Sequence, residues 1–269
     1  MTGILAQTIT ITSYGNEYLR TGKSTNFNLQ NSTFQHCNSV DFRQIRKKNI
    51  FTAKKELIVA NTPTEWFTVL KKDGCNKLRL YYHTKKSDDH KLAGFVAGGG
   101  NWFIECVYDN YSDFWLSNWT HDKILKDKPW IVTYRKAVAK QPTINLQFDL
   151  RDVREKLRTI LEQIAEFAFK ETAENWGEIF EKAKKTLESK SPETGFYHND
   201  LIVQDNYALE NRQLLMSASK AFVFGGMGSW NDIWFENEEI KQKYNTLSSG
   251  LYRIMMKTIV SSINKDNNE

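Results

Sequence analysis

The sequence predicts an α+β fold in which an antiparallel, meander-like sheet precedes a C-terminal group of about four helices. Runs of β-branched and aromatic residues dominate the first half, and an apolar period of three to four residues replaces them after residue 149. No long helical pattern separates the early runs, which favours antiparallel pairing. We therefore expect a single α+β domain over 1–269, with a strand-rich half (1–149), a helical half (150–264) and a frayed tail (265–269).

Six segments of the first half are typical of strands, because they combine β-branched or aromatic residues with apolar–polar alternation. These segments are Ile9–Thr12, Glu56–Ala60, Leu78–His83, Trp102–Tyr108, Trp130–Tyr134 and Ile144–Phe148. Turn signals separate several of them, at Lys72–Gly74, Lys85–Asp89 and Gly98–Gly100. Asp113–Trp119 fits a short helix as well as a strand.

Four helices are expected in the second half. An apolar stripe from Val153 to Ala168 predicts an amphipathic helix with Asp149 as its N-cap. The other three are expected over Trp176–Leu187, Tyr207–Lys220 and Asn237–Ile263, with Ser248–Gly250 as the point where the last would bend or break.

Charge and cysteine content bound the class of protein. The net charge is +5, with 21 basic against 13 acidic residues in 1–150 and 16 against 19 in 151–269, so a basic binding face would lie in the first half. Cys37, Cys75 and Cys106 are odd in number and widely spaced, which predicts free thiols. With no signal-peptide or membrane-spanning pattern, we expect a cytoplasmic protein that does not act in a membrane.

The most distinctive segment is Gly225-Gly226-Met227-Gly228-Ser229-Trp230-Asn231-Asp232. Clustered glycines indicate a backbone that needs positive φ or close approach by another group. The segment has neither the Gly-Lys-Ser/Thr of a phosphate loop nor a complete dinucleotide fingerprint. Two interpretations stay open: a binding loop formed by Gly225, Gly226, Gly228, Trp230, Asn231 and Asp232, or a tight turn that positions Trp230.

The sequence contains only weak patterns for a catalytic site or a metal site. The histidines and cysteines lack the short paired spacing of a zinc site, so neither a metal nor another cofactor is predicted. Ser229 fails the Gly-x-Ser-x-Gly pattern. For acid–base chemistry the candidates are His198, Asp200 and Asp232, but no catalytic residue is assigned.

Two surfaces are candidates for macromolecular partners. Four tryptophans, Trp102, Trp115, Trp119 and Trp130, suit the centre of a protein interface, although aromatic side chains suit an ordinary core equally well. A basic series offers a conceivable nucleic-acid surface, although lysine is also common on solvated strand edges. Its members are Lys71, Lys72, Lys77, Arg79, Lys85, Lys86 and Lys91.

The segment Ala221–Asp232, between an amphipathic helix and the final helix, resembles the C-terminal region of uncharacterised bacterial proteins associated with toxin-immunity or defence loci. The resemblance carries no catalytic motif and implies an accessory protein that binds another macromolecule. The leading hypothesis is thus a non-enzymatic protein that binds a protein partner, such as an immunity or inhibitor protein. The alternatives are a small-ligand or nucleotide-processing enzyme that uses the Gly225–Asp232 loop, and a nucleic-acid-binding protein.

Overall fold

A computed structural model describes residues 1–23, 27–46, 55–83, 90–92, 100–143 and 146–265 of the chain. The fold is α+β. The strands are Cys37–Arg46 (β1), Lys55–Ala60 (β2), Lys77–His83 (β3), Asn101–Val107 (β4), Ser112–His121 (β5) and Trp130–Gln141 (β6). The α-helices are Gly3–Thr21 (α1), Pro63–Lys72 (α2), Leu150–Glu171 (α3), Glu174–Thr186 (α4), Leu209–Lys220 (α5) and Glu238–Asn264 (α6).

All six strands form one mixed sheet in the order β2-β1-β6-β5-β4-β3. The meander is confirmed for β3 to β6, where each strand pairs antiparallel with the next. The prediction of a purely antiparallel sheet is wrong at one pair, because β1 runs parallel to β6 with Val40 opposite Val132. After β2, the chain passes through α2 to the far edge of the sheet, and the meander then returns to β1.

The predicted strand Ile9–Thr12 is wrong, since these residues lie in the middle of α1. Their alternation of threonine and isoleucine imitates a strand, but the helix is buried on all sides here and therefore shows no apolar stripe. The threonine hydroxyls bond to carbonyls one turn earlier, as Thr8 does to Ile4 at 2.7 Å and Thr12 to Thr8 at 2.8 Å.

Helix α1 is also bonded to a segment almost two hundred residues further along the chain. The Thr10 hydroxyl donates to the Leu201 carbonyl at 3.0 Å, and the Val203 amide donates to the Ser13 hydroxyl at 3.0 Å. The Tyr14 hydroxyl donates to the Asp200 carbonyl at 3.3 Å. The polar residues of α1 thus satisfy the backbone of a buried loop.

Helix α2 was not expected, although its start has a recognisable signal. Pro63 occupies the first turn, the Thr62 hydroxyl accepts from the Glu65 amide, and the Glu65 carboxylate accepts from the Asn61 amide at 2.9 Å. This is the reciprocal pattern of a capped N-terminus. With α1 and α2 in the first half, the described residues contain six α-helices instead of about four.

The remaining strand predictions have mixed outcomes. Asp113–Trp119, left open between helix and strand, lies within β5. Ile144–Phe148 falls partly outside the described residues, and its described part, 146–148, is not a strand. The expected turn at Lys72–Gly74 follows α2, with Gly74 at a φ of 78°. Lys85–Asp89 and residues 98 and 99 lie outside the described residues.

The helical half follows the sequence pattern closely. The Asp149 carboxylate caps α3 by accepting from the amides of Arg151 and Asp152, both at 3.0 Å. Helix α6 is continuous from Glu238 to Asn264, so the expected break at Ser248–Gly250 is wrong. A Cβ at Gly250 would lie 3.2 Å from Ile160, which shows that glycine here serves the close packing of α3 on α6.

Two buried clusters form the core, and α1 contributes to both. The larger joins helices α3 to α6 with Leu5 and Ile9 of α1 and Leu80 of β3. The smaller lies between the sheet and α2 and includes Ile11 of α1. Helix α1 therefore ties the helical group to the sheet.

The side chains of Asn16 (α1) and Asn264 (α6) cover the outer edge of β3. Asn16 accepts from the Leu78 amide at 2.7 Å and donates to its carbonyl at 2.9 Å. Asn264 does the same for Leu80, at 2.7 and 2.8 Å. Each side-chain amide thus replaces a neighbouring strand and closes an edge that would otherwise expose unpaired backbone groups.

Candidate functional site

Trp230 is a core residue and does not face solvent. Its exposed fraction is 0%, and its indole N–H donates to the Ser248 hydroxyl at 2.7 Å. The ring packs against Phe180 and Tyr244, with centroids 5.0 and 5.3 Å away, and its carbonyl accepts from the Tyr244 hydroxyl. The Gly225–Asp232 segment thus positions this tryptophan, as the turn interpretation expects.

Hydrogen bonds within the segment fix its path. Ser229 and Asp232 cap a short 3₁₀ helix, Trp230–Asp232, and the Asp232 carboxylate accepts from the Gly228 and Ser229 amides. Gly228 needs its glycine, because its φ is 81°. The Asn231 side-chain amide donates to the His90 carbonyl at 3.0 Å. Ser229, Asn231 and Asp232 are therefore engaged within the protein.

Gly225 and Gly226 differ from Gly228, because neither has a positive φ. A Cβ at Gly226 would have no heavy atom within 4 Å, and one at Gly225 would make only an ordinary 3.6 Å contact with Ser229. Internal packing therefore does not require glycine at these two positions. Both residues line a cleft, so the open space they leave lies where a bound molecule could approach the backbone.

This cleft, named here the Ser32–His198 cleft, has a volume of about 540 Å³. Five parts of the chain converge on it: the start of α1, the Ser32–Cys37 segment, the β5 and β6 ends, the Tyr197–His198 loop and the two glycines. The described residues that line it are Met1, Thr2, Gly3, Ile4, Ser32, Thr33, Gln35, His36, Cys37, Trp119, Trp130, Tyr197, His198, Gly225 and Gly226. Its volume is in the range of small-molecule sites.

A polar cluster of Ser32, His198 and Asp200 stands at one wall. The Asp200 carboxylate accepts from the Ser32 hydroxyl and, at 2.9 Å, from the Ser32 amide. The Ser32 hydroxyl also lies 2.7 Å from Nδ1 of His198. The Asp200 carbonyl accepts from the Asn31 side chain at 2.9 Å, which fixes the cluster to the start of the 3₁₀ helix Ser32–Phe34.

His198 is neutral in this environment. Its exposed fraction is 6%, and burial lowers the pKa of His198 to about 4, with the nearby Asp200 carboxylate opposing that effect only in part. A base of such low pKa removes protons poorly at neutral pH. In a catalytic triad the carboxylate orients the histidine, whereas here Asp200 accepts from the serine itself. The arrangement suits hydrogen-bond recognition better than nucleophilic catalysis.

The other walls are aromatic and apolar. Trp119 and Trp130 meet edge to face with centroids 5.9 Å apart, and Tyr197 packs on His198 at 4.1 Å. Cys37 also lines the cleft, but burial raises the pKa of its thiol to about 11, so the thiol is not reactive at neutral pH.

The other two tryptophans named from the sequence pack elsewhere. Trp102 belongs to the larger core cluster and packs against Tyr82 at a tilt, with centroids 4.5 Å apart. Trp115 is buried in the smaller cluster, 5.2 Å from Trp66. Of the four tryptophans, Trp119 and Trp130 therefore reach the cleft.

Two described members of the basic series are engaged in bonds within the protein. Lys71, on α2, donates to the Leu19 carbonyl at 2.9 Å, near the end of α1. Arg79, on β3, makes a two-point ion pair with the buried Glu105 at 3.0 and 2.9 Å. Lys85 and Lys86 lie outside the described residues. Nucleic-acid binding stays a prediction, with two of its candidate residues bonded inside the protein.

In the described part of the chain, no three His, Cys, Asp or Glu side chains gather as metal ligands. Nor does any described helix combine the length and apolar character required to cross a membrane. The three cysteines are free and buried.

Comparison of the chain with protein-family models, with curated proteins and with solved structures gives no significant match.

Sequence reasoning named His198 and Asp200 for their chemistry but missed Ser32, Cys37 and Tyr197 as cleft residues. Ser32 lies 166 positions before His198, and nothing in its local sequence distinguishes it from an ordinary helix-capping serine. The proximity arises from tertiary packing alone.

Protonation of His198 should make stability depend on pH. Because the folded-state pKa of about 4 lies below the ordinary 6.5, the unfolded chain binds more protons between these values. Stability therefore falls as the pH falls through this window. The shift corresponds to roughly 3 kcal/mol, which screening at the cleft mouth reduces to about 2 kcal/mol.

Urea unfolding at pH 7 and pH 4 measures this loss. His198→Asn keeps an N–H near Ser32 but does not titrate, so its loss of stability over the same range should be smaller by about 2 kcal/mol. Equal losses in the two proteins would show that His198 titrates normally.

Proposed function

We propose that this chain is a binding protein for a small, uncharged organic molecule, which enters the Ser32–His198 cleft. One observation carries the proposal: three features from distant parts of the sequence converge on one cleft. They are a buried neutral histidine, an aromatic wall, and two glycines at positions where internal packing does not require glycine. Ligand sites in proteins typically combine such an apolar wall with a few fixed polar groups.

The lining of the cleft supports an uncharged ligand. Among the described residues, the lining side chains include no Lys, Arg, Asp or Glu. A phosphate or nucleotide would lack the cationic side chains that usually neutralise it. The glycines therefore suit the close approach of an apolar group better than that of an anion.

Binding of prodan, a neutral naphthalene-based fluorescent probe, tests this function. We expect saturable 1:1 binding with a blue shift of the probe's emission, weakened at least tenfold in Gly226→Leu, which places a side chain at the cleft wall. Trp119→Ala, which removes part of the aromatic wall, should also weaken it. The position next to Gly226 offers the matched control Met227→Leu, since Met227 is fully exposed.

Thermal unfolding of each variant controls for folding. Gly226→Leu should unfold near the wild-type temperature, because its backbone is unstrained and its Cβ contacts nothing. The function proposed here is wrong if neither prodan nor any smaller neutral naphthalene shows saturable binding, or if the Gly226 and Trp119 variants bind prodan as the wild type does.

A protein partner is the second candidate, and exposed apolar side chains around the Gly225–Asp232 segment favour it. Met227 is fully exposed, and Trp234 is 71% exposed just after the 3₁₀ helix. Large exposed apolar side chains often anchor protein interfaces. The assignment of this chain as an immunity or inhibitor protein stays a prediction, which rests on the resemblance of the segment Ala221–Asp232.

Affinity capture with variant baits tests the second candidate. We expect a partner recovered by the wild type to be lost from Met227→Ser/Trp234→Ser, because both anchors are removed. Ile124→Ser serves as the control, since Ile124 is 86% exposed on a different part of the chain. Recovery of the same partner by all three baits would exclude this segment as the interface.

A further inference from the structure

We propose that the Ser32–His198 cleft selects a planar aromatic ligand carrying a hydroxyl or N–H group, which donates a hydrogen bond to Nε2 of His198. This inference rests on the proposed small-ligand function and adds the chemical class of the ligand. It follows from the single pattern of protons that satisfies Ser32, His198 and Asp200 together.

Asp200 determines where the Ser32 proton points. Its carboxylate is held by the Ser32 amide, and the Ser32 hydroxyl donates to its other oxygen. A serine hydroxyl has only one proton, so Ser32 Oγ can only accept from its second neighbour, Nδ1 of His198, at 2.7 Å.

The histidine therefore carries its proton on Nδ1. A neutral imidazole has one N–H and one lone pair, so Nε2 is left as an acceptor. The described residues make no hydrogen bond to Nε2, and the ring is 94% buried at the wall of the cleft. An acceptor at the wall of a cleft favours a ligand that offers it a donor over one that does not.

The rest of the cleft defines the remainder of the ligand. Trp119 and Trp130 offer faces and edges to a flat ring, and Gly225 and Gly226 leave room beside the backbone. The cleft volume of about 540 Å³ accommodates a fused two-ring compound with space for substituents. The absence of charged side chains among the described lining residues argues against a carboxylate on that ring.

Three naphthalene probes differ only in the group that meets the histidine. 2-Naphthol offers a donor, 2-methoxynaphthalene offers only an acceptor, and 2-naphthoate is an anion. Calorimetric titration should show that 2-naphthol binds at least tenfold more tightly than either analogue, because the analogues leave Nε2 without a partner. His198→Phe, which keeps a flat ring, should reduce the preference over 2-methoxynaphthalene to less than threefold.

The proton position is measured directly by ¹⁵N NMR of the imidazole nitrogens at pH 7. We expect Nδ1 to show the shift of a protonated nitrogen and Nε2 that of an acceptor. In Ser32→Ala the Nδ1 proton loses its acceptor, so the Nε2–H form should gain population and the preference for 2-naphthol should fall.

The outcomes separate this inference from the proposed function. Equal binding of 2-naphthol and 2-methoxynaphthalene, or an Nε2–H form in the wild-type protein, overturns the donor-bearing ligand while prodan binding still supports the cleft. If no naphthalene probe binds and prodan also fails to bind, both proposals are wrong.

Discussion

Replacing Trp230 with alanine is expected to lower the free energy of unfolding by about 4 kcal/mol, which is the usual cost of truncating a large buried aromatic side chain. The indole has an exposed fraction of 0% and packs among Trp176, Phe180 and Tyr244. Its loss also leaves the Ser248 hydroxyl without the indole N–H. Urea unfolding followed by circular dichroism measures the change.

Two variants make this result specific to the position. Trp230→Phe keeps part of the ring contacts and should lose about half as much stability, because the cavity is smaller. Trp234→Ala removes the neighbouring exposed tryptophan and should change stability by less than about 0.5 kcal/mol. A Trp230→Ala protein as stable as Trp234→Ala would mean that Trp230 is a surface residue.

The variant Asn264→Leu should lower the free energy of unfolding by about 3 kcal/mol, since each orphaned buried backbone group costs about 1–3 kcal/mol. Leucine has a similar size but neither donates nor accepts. The amide and the carbonyl of Leu80 would then lose their partners at the β3 edge. The same variant should speed hydrogen exchange at the Leu80 amide.

An exposed amide on the same helix supplies the control. Gln242→Leu changes a solvent-facing position of α6 and should alter stability by less than about 0.5 kcal/mol. If Asn264→Leu is as mild as Gln242→Leu, or if exchange at Leu80 is unchanged, the Asn264 side chain does not hold the strand.

The elements that were predictable from sequence are those that are buried on one side only. Helix α3 shows a clear stripe because its other face is in water, and Asp149 marks its start. Helix α1 shows none, because it is enclosed and uses Thr8, Thr10 and Thr12 as polar packing residues. The parallel pairing of β1 with β6 was also hidden, since pairing order depends on tertiary contacts.

Individual residues of the candidate site could be predicted from the sequence, but their convergence on one cleft could not. Gly225 and Gly226 were conspicuous as glycines, and His198 and Asp200 as titratable groups. That the glycines and the histidine share a cleft depends on how α1, the sheet and the helical group pack together. Trp230 was singled out with the glycines, but its ring lies in the core.

The hydrogen bonds of α1 to residues 200–203 also govern the order of events during synthesis. Thr10 and Ser13 find their partners about 190 residues later, which takes roughly 10 to 40 seconds at usual translation rates of 5–20 residues per second. Until then the polar side chains of α1 lack these partners. Helix α1 therefore reaches its final packing only after most of the chain has been synthesised.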